Sequence, residues 1–292
     1  MKPDVFVNKR ALELRFPIFL GVDANVLASH GALPFRLLFS NGGPCHPPFD
    51  RTDCVHQIAP IFCDEALRAG ESAERHFLVP YGIKMCEAPV IDPAARQTLR
   101  ARHHLPLDRP VVLSVGWISR THKRMDYLVE EVARLPQPRP FVQMLGAMDD
   151  SSREVVEHAQ QLLGRDGFSA RSVSYDEVSD YYRTADVFAL SSLQEAFGRV
   201  YVEALMYGLP VIAHRHPVME YVLGGEGWLG DLNRPGVLAQ LLAERLRQPS
   251  DAEAAQRRWR SVRDRFDWPV LSPAYLEMFR VVAQRAKYGA SG

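Results

Sequence analysis

The sequence has no excess of either charge sign, since lysine plus arginine and aspartate plus glutamate number 35 each in 292 residues. Without a net charge, the chain as a whole is not attracted to nucleic acid or to an anionic membrane. No apolar run is long enough to span a bilayer, and the first residues carry charges where a signal peptide has an apolar core. These absences predict a cytoplasmic protein without nucleic-acid partners or a transmembrane segment; peripheral attachment to a membrane stays open.

The sequence also lacks the patterns of metal and dinucleotide sites. Cys45, Cys54, Cys63 and Cys86 show no C-x-x-C spacing and no paired histidines nearby, so neither zinc nor a disulfide framework is expected. No G-x-G-x-x-G follows a predicted strand, which disfavours a Rossmann dehydrogenase. The 47% hydrophobic and 24% charged content is typical of a globular protein, and the length suits two α/β lobes.

From residue 110 onward, short apolar runs alternate with segments of helical periodicity. This alternation predicts a parallel sheet covered by helices on both faces, with ligands at the carboxyl ends of the strands. The predicted strands cover 111–115, 140–146, 170–175, 186–192 and 209–214, and the predicted helices cover 125–135, 153–164, 176–185 and 199–208.

The first hundred residues are less regular and predict only part of a doubly wound lobe. Strands are expected at 4–8, 35–40 and 76–82, a helix at 64–70, and a linker with the first helix of the second lobe at 87–110. The predicted domains are 1–86 together with the C-terminal helix 266–292, and 87–265.

Two carboxylates stand out in the segment 191–213. Glu195 lies in a polar turn after an apolar strand, Gly198 opens the next helix, and Glu203 follows about one and a half turns later. The unpaired N–H groups of a helix start suit an anionic oxygen or a sugar hydroxyl, and two acceptors at different depths suit a polyhydroxylated ligand. The alternative is a helix-start carboxylate beside a solvated surface glutamate.

A second loop, 115–128, carries Gly116, Arg120 and Lys123 directly after a strand. Glycine lets the backbone approach a ligand, and two cations beside helix N-termini can bind a diphosphate without a metal. Both cations are expected to be exposed, and the alternative is an ordinary solvated basic loop.

These loops, in this order, resemble the retaining glycosyltransferases of family 4, the group 1 transferases with the GT-B fold. Glu195, Phe197, Gly198 and Glu203 reproduce the E-x-F-G-x₄-E motif of that family. Gly116, Arg120 and Lys123 are similar to its glycine and two phosphate-binding basic residues, although Trp117 stands where a first arginine is common. Weaker similarities lie at 78–85, 144–150 and 181–192.

The resemblance implies a GT-B-like α/β fold, with a complete Rossmann-like donor domain after an incomplete Rossmann-like lobe. It implies transfer of a sugar from a UDP-, GDP- or ADP-sugar to a hydroxyl of a glycan, glycolipid or small molecule. Retention of configuration is expected, with no metal and no further cofactor. Arg120, Lys123 and Glu195 would serve catalysis, with Glu203 on the ribose. The residues implied around the donor are Gly116, Val173, Tyr175, Phe197, Gly198, Arg199, Val200 and Glu203.

Two departures from the family keep a second hypothesis open, namely a non-catalytic sugar-nucleotide-binding or scaffold subunit that needs a partner chain. His216 and Pro217 occur where a Gly-Gly pair is usual. The N-terminal segment resembles the fourth strand of a GT-B lobe, as if the chain started within a domain. Self-association as a homo-oligomer through the apolar segments 16–22 and 35–40 is therefore expected.

The acceptor side is assigned to Asn41, Gly42, Gly43 and His46 at the end of a strand, with a surface-loop histidine as the alternative. The segment 266–284 resembles the family's closing helix. Pro269 and Pro273 are expected to break this helix, and Trp268 is expected to pack.

Overall fold

A computed structural model describes residues 5–9, 36–43, 45–50, 52–89, 92–249 and 251–285, with only the backbone at 5–9. The apolar segment 16–22 lies outside the described residues. The chain divides into two compact units, unit 1 with residues 1–84 and 265–292 and unit 2 with residues 85–264. Within the described ranges, no helix combines the length and apolar character needed to cross a membrane.

Unit 1 contains a parallel sheet of four strands in the order β1-β2-β3-β4. Successive side chains of a strand point to opposite faces, and both faces are covered. Leu38 packs with Met278 on one face, and Phe39 packs with Ala66 on the other. The elements are β1 (Val5–Lys9), β2 (Arg36–Asn41), β3 (Cys54–Gln57), α1 (Pro60–Arg68), β4 (His76–Leu78) and, at the C-terminus, α10 (Trp268–Gln284).

Helix α10 corrects the prediction that its prolines break it. Pro269 lies in the first turn, where a backbone N–H has no intrahelical partner in any case, and Pro273 removes only one bond in the second turn. Trp268 packs as predicted, with its ring centroid 5.4 Å from that of Tyr275.

Unit 2 contains six parallel strands in the order β10-β9-β8-β5-β6-β7. From β5 the chain continues to β6 and β7 on one side. It then crosses to β8 on the other side of β5 and continues outward to β9 and β10. The crevice between β5 and β8 at their carboxyl ends is the topological switch point, where open α/β sheets bind ligands. The strands are β5 (Val111–Val115), β6 (Phe141–Leu145), β7 (Phe168–Arg171), β8 (Val187–Ala189), β9 (Val211–His214) and β10 (Gly227–Gly230).

The helices of unit 2 connect these strands. They are α2 (Pro93–Arg102), α3 (Met125–Ala133), α4 (Ser152–Leu163), α5 (Tyr175–Thr184), α6 (Arg199–Met206), α7 (Pro217–Leu223), α8 (Val237–Arg247) and α9 (Ala252–Phe266).

The strand predicted at 170–175 is wrong beyond Arg171. Ser174 caps helix α5 in a capping box with Glu177, so Tyr175 is the first helical residue. Strands β3 and β10 and helices α7, α8 and α9 are absent from the predictions.

Gly146, at the end of β6, holds the loop that follows β5 in place. Its φ is +152°, and a Cβ at this position would lie 1.8 Å from the carbonyl oxygen of Gly116. Backbone cannot move aside as a flexible side chain can. The missing side chain therefore lets the ends of β5 and β6 meet.

We expect Gly146→Ala to lower the free energy of unfolding by about 1–3 kcal/mol or more, since the new methyl group meets backbone. Gly164→Ala is the matched control, because Gly164 also has positive φ but no atom within 4 Å of the added Cβ. Urea unfolding of both variants measures the difference. Equal losses would contradict the packing role of Gly146.

Candidate functional site

The loop after β5 begins with Gly116 at the switch point. The N–H of Gly116 donates to the carbonyl of Leu145 at 2.8 Å. A Cβ on Gly116 would lie 3.2 Å from Cε of Lys123, so the lysine stem runs close across this backbone. Glycine therefore provides the room through which Lys123 reaches the loop that follows β8.

Lys123 and Glu195 form the centre of the candidate site. The Nζ atom of Lys123 donates to Oε1 of Glu195 at 2.5 Å, and the two side chains are 16% and 8% exposed. This pairing joins the loops after β5 and β8, as their predicted position at one sheet edge requires. The expectation that Lys123 is an exposed, unpaired cation is wrong, because the adjacent carboxylate binds it in a mostly buried position.

Arg120 does not join this pair in the structure. Its guanidinium is exposed and forms ion pairs with Asp126 and Glu154, both at 3.0 Å. These two carboxylates lie in the first turns of α3 and α4. The structure therefore separates the two cations that the sequence grouped as one diphosphate site, and a catalytic role of Arg120 stays a prediction.

Arg124 connects three loops and was not among the predicted site residues. It precedes α3 in a left-handed backbone conformation with φ of 46°. Its Nη1 donates to the carbonyls of Ser191 and Leu232, and its guanidinium carbon lies 4.4 Å from the ring centroid of Tyr127. The sequence shows Arg124 only as part of the basic segment 120–124, and this pattern does not indicate which of its cations has a structural role.

The start of helix α6 is shaped by Gly198. Its φ is +77°, and a Cβ there would lie 2.6 Å from the ring of Tyr201. Phe197 is buried before it, Arg199 is exposed as the first helical residue, and Val200 is half-buried. The first turn of this helix therefore follows the loop that carries Glu195, and a helix N-terminus favours an anion.

Glu203, the second predicted carboxylate, lies on α6 and is mostly buried. Its Oε2 accepts a hydrogen bond from the hydroxyl of Tyr182 at 3.0 Å. Burial raises the pKa of Glu203, while the Tyr182 bond and the charge of Arg199 oppose that rise. Burial and the nearby Glu203 raise the pKa of Tyr182 well above its usual value, so Tyr182 remains a hydrogen-bond donor.

Val173 and Tyr175, two of the residues that the resemblance implies around the donor, follow β7 at the same edge of the sheet. Val173 is half-buried, whereas Tyr175 is 78% exposed at the start of α5. An aromatic ring this exposed, close to the helix start, is available to a planar ligand.

Three buried serine hydroxyls near this edge have no hydrogen-bond partner among the residues that the structure describes. They belong to Ser114 on β5, Ser119 in the following loop and Ser191 after β8. Buried polar groups are nearly always satisfied, so these three hydroxyls are exceptions to that rule, and their oxygens are covered by protein. Sequence inspection did not single them out.

The residues that depart from the family pattern have a local structural role. His216 caps α7, with its Nδ1 accepting from the N–H of Val218 at 3.2 Å, and Pro217 occupies the first helical position. Met219 of this helix lies 3.1 Å from the Cβ position of Gly198. Helix α7 therefore packs against Gly198 at the start of α6.

The predicted acceptor-side residues lie in unit 1. Asn41 is buried and donates to the carbonyl of Cys45 and to Gln57, and Gly42 leaves room for the ring of Tyr81. Gly43 is buried beside them, and exposed His46 has its Nδ1 3.4 Å from a carboxylate oxygen of Glu65. Nothing in this geometry tests the acceptor role.

Within the described residues, no three histidine, cysteine, aspartate or glutamate side chains are grouped so that they could hold a metal ion.

Unit 2 is thus a Rossmann-like α/β unit whose charged crevice lies at the switch point of its sheet. The family model "Glycosyl transferases group 1" matches residues 95–262. The chain belongs to the group 1 glycosyl transferases, and its parallel α/β architecture is that of the GT-B glycosyltransferases.

Relatives and solved structures agree with this membership. The D-inositol 3-phosphate glycosyltransferase of Xylanimonas cellulosilytica is 32% identical over 74% of this chain, and the chain spans 54% of the length of that protein. LpsE of Rhizobium meliloti, a lipopolysaccharide core biosynthesis glycosyltransferase, is 27% identical over 95% of this chain and 76% of its own length. The crystal structure of Anabaena HepE in complex with UDP and glucose covers 95% of this chain and 78% of its own, with a TM-score of 0.76 and 19% identity.

Lys123→Ala should lower the free energy of unfolding by about 1–3 kcal/mol, because it leaves the mostly buried Glu195 without its counter-charge. Combining it with Glu195→Gln should recover much of that loss. Arg120→Ala is the control and should change stability little, because its ion pairs are exposed. Chemical unfolding of the four proteins measures this, and a double variant no more stable than Lys123→Ala would refute the pairing energy.

Glu203→Gln should stabilise the protein at neutral pH. A carboxylate whose folded-state pKa is raised stabilises the fold while protonated, and that contribution is lost as the pH rises through the folded pKa. The gain in melting temperature should therefore be larger at about pH 7.5 than at about pH 4.5.

The exposed carboxylate of Glu220 provides the matched control for this pH dependence. Glu220→Gln should show no comparable gain at neutral pH. A constant difference between Glu203→Gln and the unmodified protein across the pH range would refute the effect of burial.

Proposed function

We propose that this protein transfers a sugar from a nucleoside-diphosphate sugar to an acceptor hydroxyl. The observation that carries the proposal is the Lys123–Glu195 ion pair at the switch point between β5 and β8. A cation and a carboxylate positioned together can bind a diphosphate and a sugar hydroxyl of the same ligand. Membership of the group 1 glycosyl transferases supports the same chemistry.

The donor is proposed to lie along the carboxyl edge of the sheet. Lys123 binds the diphosphate, with Arg120 able to approach after leaving its exposed carboxylates. Glu195 accepts from hydroxyls of the transferred sugar, and Glu203 accepts from the ribose hydroxyls in place of Tyr182. The N–H groups at Phe197, Gly198 and Arg199 approach the phosphate and sugar, and the segment from Val173 to Tyr175 contacts the base.

The reaction is proposed to proceed with retention of anomeric configuration and without a metal. The bond between the sugar C1 and the diphosphate oxygen breaks while the acceptor oxygen bonds to C1 on the same face. The proton of the acceptor hydroxyl passes to the departing diphosphate. Lys123 and the helix N-terminus at Gly198 stabilise the negative charge that develops there.

The names of the relatives favour a catalytic glycosyltransferase over a non-catalytic binding subunit. Both curated relatives described above are named as glycosyltransferases. The inositol phosphate and lipopolysaccharide core in the names of those relatives belong to proteins that are at most 32% identical to this chain.

Glu203→Ala and Glu195→Gln separate the proposed roles of the two carboxylates. Glu203→Ala should weaken binding of the diphosphate and of the full donor alike, by about 1–3 kcal/mol, because both carry the ribose. Glu195→Gln should lower sugar transfer while diphosphate affinity stays equal or rises, since Lys123 is released from its partner. Calorimetry with UDP, GDP, ADP and their sugars measures this, together with product formation in EDTA.

Transfer that persists in EDTA and yields a product of unchanged anomeric configuration is the expected outcome. Activity lost in EDTA and restored by magnesium would reject the metal-free mechanism. Unchanged nucleotide affinity in Glu203→Ala would reject its place at the ribose. Absence of binding for every nucleotide would reject the proposed function itself.

A further inference from the structure

A cavity of about 500 Å³ lies in unit 2 at the opposite edge of the sheet from the candidate donor site. Pro110, Asp186 and Pro210, which immediately precede β5, β8 and β9, line it, so it opens at the amino ends of the strands. We call it the amino-edge cavity. Its volume is within the range of about 300–1,000 Å³ typical of small-molecule sites.

Two arginines in the wall of the amino-edge cavity have unusual surroundings. Arg245 on α8 is 7% exposed, and its Nη1 donates to the carbonyl of Gln248. Arg258 on α9 donates from Nη1 to the carbonyl of Gly208 at 2.9 Å. The Nε atoms of both are buried and find no hydrogen-bond partner within the described parts of the chain. Neither guanidinium lies within 4.0 Å of a carboxylate there.

Burial lowers the pKa of both guanidinium groups. For Arg258, the charge of Arg245 lowers the pKa further, so the two cations are close enough to repel each other. The charges of Asp186 and Asp251 raise the pKa of Arg245, and those of Glu226 and Asp251 raise the pKa of Arg258. An anion that pairs with both partly desolvated guanidinium groups would reduce their mutual repulsion.

The carboxylates of the lining are bound elsewhere or exposed. Asp186 accepts from Arg96 at 2.7 Å. Asp92 caps α2 through the N–H of Ala94, and Asp251 accepts from N–H groups in the first turn of α9. Glu87 is exposed to solvent. The lining therefore holds as many arginines as carboxylates, and neither Arg245 nor Arg258 has a carboxylate within ion-pair distance among the described residues.

The rest of the wall suits the body of a small molecule. The rings of Tyr182 and Tyr207 stack with centroids 5.4 Å apart and planes 7° apart, and both residues line the cavity. Leu99 and Leu246 add apolar surface. A partly apolar wall beside two guanidinium groups can hold a compact molecule that carries an anionic group.

We propose that the amino-edge cavity binds a small phosphomonoester, such as a sugar phosphate, through Arg245 and Arg258. A phosphomonoester carries about −1.5 to −2 charges near neutral pH and can pair with both guanidinium groups at once. Its oxygens accept from the guanidinium groups of these two arginines, and its sugar-sized body lies beside Tyr207 and Leu99. The cavity shares Tyr182 with the candidate donor site, where the Tyr182 hydroxyl contacts Glu203, but its arginines lie outside that site and the proposal does not depend on the proposed function.

The binding is tested by calorimetry with a hexose 6-phosphate, with inorganic phosphate and the uncharged hexose as comparison probes. Saturable binding of the hexose phosphate, weaker binding of phosphate and none of the hexose are expected. Arg245→Gln and Arg258→Gln should each weaken hexose phosphate binding by about tenfold or more. Arg260→Gln is the control, since this exposed arginine of α9 does not line the cavity.

A second measurement separates lost binding from lost folding. Without ligand, Arg258→Gln should melt no lower than the unmodified protein, because one of two repelling charges is gone. Its melting temperature should no longer rise on adding hexose phosphate. Arg258→Lys, which keeps the charge but not the planar fork, should also weaken binding and serves if the glutamine variants do not fold.

Lys123→Ala distinguishes this site from the donor site. It should lose nucleoside-diphosphate affinity yet keep hexose phosphate binding, and UDP should not displace the hexose phosphate. No binding of hexose phosphate to the unmodified protein would overturn the proposal. Binding that none of the arginine variants weakens, or that UDP displaces, would overturn it as well.

Discussion

The parallel pairing of β5 with β8 is the constraint on which the candidate site depends. Val112 pairs with Val187 and Leu113 with Phe188, in the centre of a sheet whose strands are buried on both faces. The chain moves outward from β5 in one direction and from β8 in the other. The loop after β5 and the loop after β8 therefore lie on the two sides of a crevice at the carboxyl edge of the sheet. Lys123 of the first loop and Glu195 of the second meet in this crevice.

The Lys123–Glu195 ion pair in that crevice has a desolvation penalty that an exposed ion pair on the surface does not have. Lys123 and Glu195 are both mostly buried, and a buried pair is weak evidence for stability alone. The surrounding structure fixes it, since Gly146 admits the β5 loop and Gly198 admits the ring of Tyr201. Charges preorganised in a partly dry crevice are suited to binding a charged ligand more than to holding a fold together.

The sequence predicted the alternating strands and helices of unit 2 because their apolar runs are long and regular. It missed β3, whose residues His56 and Gln57 are polar yet buried in a hydrogen-bonded network, and β10, which begins and ends with glycine. It also predicted that Pro273 would break α10. The sequence does not show that the helix continues in spite of the one hydrogen bond that Pro273 removes.

The sequence indicated candidate site residues but not their contacts. The spacing of Glu195 and Glu203 indicated two depths, and the structure gives them different partners, Lys123 and Tyr182. No local pattern could show that Lys123 is buried while Arg120 is exposed, because that depends on which loop each side chain meets. The arginines of the amino-edge cavity belong to helices without a motif, so only the packed structure brings them together.

The most direct test of the central claim is a crystal structure of the protein with a bound nucleoside diphosphate. The account predicts diphosphate oxygens within ion-pair distance of Nζ of Lys123 and ribose hydroxyls on the carboxylate of Glu203. It also predicts that the hydrogen bond from Tyr182 to Glu203 is shared or released. A nucleotide bound away from the carboxyl ends of β5 and β8, with the Lys123–Glu195 pair untouched, would contradict the account.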